Sequence, residues 1–201
     1  MTKGRMEAFS DGVIAILITI MVLELKVPDG ADAHALREML PGFLTYVLSF
    51  IYLGIYWVNH HHMVHTADHI NGKILWANLH LLFWLSLVPS ATGWMGENHT
   101  EALPTAVYGA VLLMPAIAYY VLQQTLIASQ GPHSRLHAAI GRDYKGKISP
   151  LLYASSIGLA FVRPWLADAI FVLVALIWLV PDPRIEARLA HSGERQGVAG
   201  G

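Results

Sequence analysis

Residues 5–23 read Arg5-Met6-Glu7-Ala8-Phe9-Ser10-Asp11-Gly12-Val13-Ile14-Ala15-Ile16-Leu17-Ile18-Thr19-Ile20-Met21-Val22-Leu23. No charged residue stands between Asp11 and Glu24, and the apolar run Met6–Val27 ends at Pro28-Asp29-Gly30. About 20 apolar residues are needed to cross a hydrocarbon core of about 30 Å. The segment is thus predicted to be a first transmembrane helix. Lys3 and Arg5 precede it as in a signal peptide, but the run is long and lacks a small-residue cleavage site, so it is expected to be retained.

Five further apolar runs follow: Pro41–His61, Ile74–Trp94, Leu103–Ile127, Ile148–Val162 and Pro164–Pro181. Pro41 suits a helix start. The fifth run is short enough to be read also as a re-entrant or buried segment. The composition agrees with a membrane class, since only 13% of the 201 residues are charged, against roughly a quarter in soluble domains. The fold predicted is all-α, with six transmembrane helices. Residues 1–190 form one domain, and the polar, glycine-rich residues 191–201 form a disordered tail.

The basic residues set the orientation. With the N-terminus in the cytoplasm, Lys3, Arg5, Lys73, Arg135, Arg142, Lys145, Lys147, Arg184, Arg188 and Arg195 fall inside. Only Lys26, Arg37 and Arg163 fall outside, giving 10 against 3 of the 13. The positive-inside rule then places both termini in the cytoplasm. Zero cysteines exclude disulfide scaffolds, thiolate zinc sites and cysteine nucleophiles. A formal net charge of −1 gives nucleic acid no electrostatic footprint.

Within the first helix, at 100° per residue, Gly12, Thr19, Ile20 and Leu23 fall within about 60° of Ile16. Asp11 points to the opposite side. Arg5 and Asp11 lie about 120° apart, so they do not pair along the helix. One face is therefore small or apolar with a single hydroxyl. The other carries an intramembrane carboxylate that needs a partner on another helix, or water at the interface. The apolar stripe itself also fits a face packed on lipid or core.

The pattern Arg-x-x-x-Phe-Ser-Asp at Arg5, Phe9, Ser10 and Asp11, followed by Gly-Val and an Ile/Leu/Thr-rich helix ending Leu-Glu-Leu-Lys-Val-Pro, resembles the prokaryotic branch of the transmembrane protein 175 family of lysosomal potassium channels. The resemblance extends through Tyr56-Trp57-Val58-Asn59-His60-His61-His62, Trp76-Ala77-Asn78-Leu79, Leu87-Val88-Pro89 and Trp178–Pro181. It implies a homotetramer in the cell membrane that conducts K⁺ passively, with no cofactor and no catalysis. The first helices of four subunits would line its pore. It places Ile16 at the hydrophobic constriction, with Ile20 and Leu23 further outward, and Thr19 at a ring of hydroxyls. No Thr-Val-Gly-Tyr-Gly filter is present. It also implies that Arg5, Ser10, Asp11, a histidine such as His60 or His61, and Asn78 form a polar network behind the pore helix.

Six of the eleven histidines fall at His60, His61, His62, His65, His69 and His80. The i,i+4 pairs His61/His65 and His65/His69, with Asp68 nearby, have zinc-ligand spacing; they equally suit imidazoles capping a helix end. Intramembrane histidines also admit a second reading from another class, a b-type haem redox protein. A secondary transporter is disfavoured by the lack of an inverted repeat. Glu24 and Lys26 stand where the first helix leaves the membrane, either as a cation-concentrating mouth or as a solvated pair.

Overall fold

A computed structural model describes residues 2–28, 30–67, 69–130 and 144–179. Among these residues the regular structure is entirely helical: α1 (Lys3–Ile20), a 3₁₀ turn (Met21–Glu24), α2 (Ala33–His65), α3 (Gly72–Leu85), α4 (Val88–Glu97), α5 (Ala102–Gln130), α6 (Tyr144–Ala160) and α7 (Pro164–Leu179). They make six rods, because the 3₁₀ turn prolongs α1 and α4 continues α3. Four rods are long and apolar enough to span a bilayer: Lys3–Glu24, Ala33–His65, Gly72–Glu97 and Ala102–Gln130. With the shorter α6 and α7 the chain is a polytopic all-α membrane protein of six transmembrane helices. The predicted tail 191–201, and the last residues of the sixth run, lie outside the described residues.

Two sequence expectations need correction. The second helix does not begin at Pro41. Asp32 caps it by accepting the Ala35 N–H at 2.9 Å, and Pro41 lies inside a helix of 33 residues. A proline there removes one hydrogen bond, to the Arg37 carbonyl. Arg37 is exposed, so water can take that bond's place. At 1.5 Å per residue α2 is about 50 Å long, so it projects beyond the hydrocarbon. The third run is likewise not one helix. Pro89, at the start of α4, has no N–H for the Leu85 carbonyl, and the rod breaks at Ser86–Leu87.

Two apolar clusters hold the rods together. One joins α1, α2, α3 and α5 through Ile14, Leu53, Leu81 and Leu122. The other joins α2 and α4 to α5, α6 and α7 through Tyr52, Tyr108, Tyr153 and Phe171. Hydroxyls buried in the second are paired: Thr92 Oγ1 gives its one proton to the Val88 carbonyl at 2.7 Å and lies 2.7 Å from Ser49 Oγ, from which it accepts, Ser49 and Tyr108 share a bond of 2.8 Å, and Tyr52 donates to the Phe171 carbonyl. Inside a membrane such pairing replaces the water these groups lack. Small residues set the closest helix approaches. A Cβ on Gly96 would stand 3.0 Å from the Gly42 Cα, which draws α4 against α2.

Candidate pore helix and its polar anchors

Helix α1 buries one face only. Met6, Ser10, Ile14, Leu17 and Met21 recur at helical spacing against the subunit core. The stripe read from the sequence lies on the other side, where Gly12, Ile16, Thr19, Ile20 and Leu23 are all exposed. Ile16 is 59% exposed and Leu23 79%. The 3₁₀ turn advances about 120° per residue, so Leu23 is rotated by about 60° from its α-helical direction and still faces outward. A Cβ on Gly12 would meet nothing within 4 Å. The Thr19 hydroxyl donates its proton to the Ile16 carbonyl at 2.9 Å. Its oxygen lone pairs therefore remain as the acceptor presented on the stripe.

Behind α1 the polar residues divide into two sets. The first is fully buried. Ser10 Oγ donates to the Met6 carbonyl at 2.9 Å, Asn78 Nδ2 donates to Ser10 Oγ at 2.9 Å, and His60 Nε2 lies 2.7 Å from Asn78 Oδ1. Each donor fixes the next. The Ser10 proton is committed to its own helix, so Asn78 must present its amide to Ser10 and its carbonyl to His60. His60 then carries its proton on Nε2. Three helices, α1, α2 and α3, are tied by this chain.

The second set runs along the partly exposed α1–α2 seam. Lys3 Nζ donates to the His65 carbonyl, His61 Nδ1 lies 2.9 Å from Glu7 Oε1, and Trp57 Nε1 donates to Asp11 Oδ1 at 3.0 Å. Lys3, Glu7 and Asp11 are four apart on α1, as are His65, His61 and Trp57 on the antiparallel α2. One register therefore makes all three rungs.

The expected network of Arg5, Ser10, Asp11, a histidine and Asn78 is thus divided. Ser10, His60 and Asn78 come together. Asp11 is only half-buried and meets Trp57, and His61 meets Glu7. Arg5 is exposed and bonded to nothing among the described residues. The reason is rotational: Asp11 stands 100° round from Ser10, so only one of them can face Asn78. Sequence reading missed Glu7, Trp57, Lys3 and His65. Their four-residue spacing was visible; which helix met which was not.

Among the described residues the histidines do not assemble a metal or haem site. No group of three or more His, Asp or Glu residues suited to a metal occurs among the described residues. The His61 ring stacks on His65 at 5.9 Å; Asp68 lies outside the described residues. Bis-histidine haem ligation needs two imidazoles facing one gap. His60 is buried and bonded to Asn78, whereas His80 is exposed and bonded to Trp84.

Comparison with known proteins agrees with this architecture. Residues 5–89 match the family described as the endosomal/lysosomal potassium channel TMEM175. A potassium channel of Chryseobacterium sp. (strain P1-3) is 56% identical over 192 residues, covering 96% of this chain and 100% of the relative. A potassium channel of Streptomyces collinus is 35% identical over 199 residues, covering 92% and 97%. The crystal structure of a lysosomal potassium-selective channel TMEM175 homolog from Chamaesiphon minutus superposes with a TM-score of 0.79 at 28% identity, covering 89% of this chain and 96% of that one. With its first-helix signature, its six-rod fold and relatives similar along nearly their whole length, this chain belongs to the TMEM175 family.

Proposed function

We propose that the chain, over residues 1–190, is one subunit of a homotetrameric, potassium-preferring channel in the cell membrane, with both termini cytoplasmic. It would conduct K⁺ passively, without cofactor or catalysis. The observation that carries this reading is the two-sided character of α1. Its back is fixed to α2 and α3 by buried hydrogen bonds, while Gly12, Ile16, Thr19, Ile20 and Leu23 are left uncovered by the subunit. Four-fold repetition of such a helix encloses an axis that one subunit cannot enclose alone. The names of the bacterial relatives supply the ion.

At the axis, four Ile16 side chains make an apolar constriction, with Ile20 and Leu23 outward of it. A partly dehydrated ion crosses a dry apolar segment only at high cost, so such a ring closes by dewetting as well as sterically. Four Thr19 oxygens beside it replace part of an ion's hydration shell. Ser10, Asp11, His60, His61 and Asn78 then act by holding the helix rather than by touching the ion, and Arg5, exposed near the start of α1, makes no such bond among the described residues.

Liposome flux under K⁺ and Na⁺ gradients tests the assignment. Ile16→Asn and Ile16→Ala are expected to raise cation flux and weaken discrimination between the two ions. Thr19→Val removes the hydroxyls at nearly constant volume. A contact of about 1 kcal/mol corresponds to roughly fivefold in selectivity, the loss expected there with closure little changed. Native mass spectrometry checks each variant for the tetramer. An intact Ile16→Asn tetramer with unchanged flux would move the constriction to Ile20 or Leu23.

A further inference from the structure

His80 lies on the outward face of α3 with Trp76, Leu79 and Phe83, which are 75%, 41% and 56% exposed. Trp84 Nε1 donates to His80 Nε2 at 2.8 Å. An indole nitrogen only donates, so Nε2 is the bare nitrogen and the ring's proton is on Nδ1. That N–H has no partner among the described residues. His80 stands eight residues in from Gly72, the first residue of α3. At 1.5 Å per residue this is about 12 Å. Lipid tails offer no acceptor at that depth, and polar side chains within a span are held against protein.

Its own subunit cannot supply the acceptor from α1. Asn78 faces Ser10 of α1, and His80 is 200° round α3 from Asn78, so it points away from α1. Asp11 is a matching acceptor. It lies eight residues in from Lys3, the first residue of α1, and the Ser10–Asn78 bond sets α1 and α3 level, so Asp11 and His80 share a depth of about 12 Å from those helix starts. It is half-exposed, and Trp57 takes only one of its two oxygens among the described residues.

Resting on the tetramer reading above, we propose that neighbouring subunits meet through this pair. His80 of the partner subunit donates its Nδ1 proton to Asp11, and the apolar face around that histidine is covered by the α1–α2 seam. Asp11 thereby bridges Trp57 of its own subunit and the next copy around the ring. The arrangement is head-to-tail, as a closed cyclic assembly requires.

The chain has no cysteine, which makes the contact directly testable. Two singly substituted, differently tagged chains, Asp11→Cys and His80→Cys, are co-expressed and treated in membranes with a short bifunctional maleimide. A covalent dimer carrying both tags is expected, with none from His80→Cys alone. A double-mutant cycle gives an independent readout of tetramer dissociation in increasing detergent. His80→Leu and Asp11→Leu should each shift it to lower detergent, and the double variant should go no further than the worse single. Additive shifts, or copurification through both tags without a two-tag crosslink, overturn the contact alone. Chains that fail to copurify overturn the tetramer and this contact with it.

Discussion

The Ser10 hydroxyl has one proton and gives it to Met6, so everything that touches its oxygen must donate. Asn78 is the side chain that can do so and still accept from His60. Asn78→Leu keeps roughly the same volume but strands a donor on His60 and an acceptor on Ser10. Leaving buried groups unpaired costs on the order of 1–3 kcal/mol. We expect a clear fall in Tm in detergent for Asn78→Leu. Asp11→Asn keeps an acceptor for Trp57 at a half-exposed site, and should cost less, about 1 kcal/mol or below. Thermal unfolding of both variants by near-UV circular dichroism orders them. The reverse order would make Asp11 the main anchor of α1.

Helices here are positioned by what they lack as much as by what they carry. Gly42 and Gly96 let α2 and α4 approach until a Cβ would meet the opposite backbone at 3.0 Å. Gly96→Val must push the two helices apart, at a cost of about 1–3 kcal/mol. By contrast, a Cβ on Gly158 in α6 meets nothing within 4 Å. Gly158→Ala should therefore stabilise by about 0.5–1 kcal/mol, the ordinary gain of alanine over glycine in a helix. Opposite shifts of Tm for the two substitutions are the expected result. A neutral Gly96→Val would show that α4 can slide without loss. The prolines obey the same logic. Pro89 breaks its rod, whereas Pro41 is absorbed at the projecting, exposed end of α2.

At the scale of the molecule, α1 is an edge helix: α2, α3 and α4 pack on one side of it, and no described element covers the stripe. In the proposed orientation six traversals return the chain to the side it started from, and among the described basic residues Lys3, Arg5, Lys73, Lys145 and Lys147 stand at the helix ends on that side. Single cysteines introduced at Gly30 and Asn98 should react with an impermeant thiol reagent from outside intact cells. A cysteine at Lys73 should react only after permeabilisation. External labelling at Lys73 would reverse the orientation of the whole bundle.

What the sequence alone determined is what depends on one helix at a time. The number of spans follows from apolar length and the outward stripe of α1 from 100° per residue, and the sidedness expected from the basic residues is what the labelling above tests. Ile16, Thr19 and Gly12 could therefore be grouped without coordinates. Partners were decided by the tertiary structure, because pairing depends on the rotation and register of two helices together. Adjacent Ser10 and Asp11 look equally suited to meet Asn78. The rotation of α1 turns Ser10 inward to it and leaves Asp11 to Trp57. The start of α2 at Asp32 was hidden for a related reason. A proline signals a missing N–H, but whether a helix ends there depends on whether the orphaned carbonyl finds another donor, and at the exposed Arg37 the carbonyl is open to solvent.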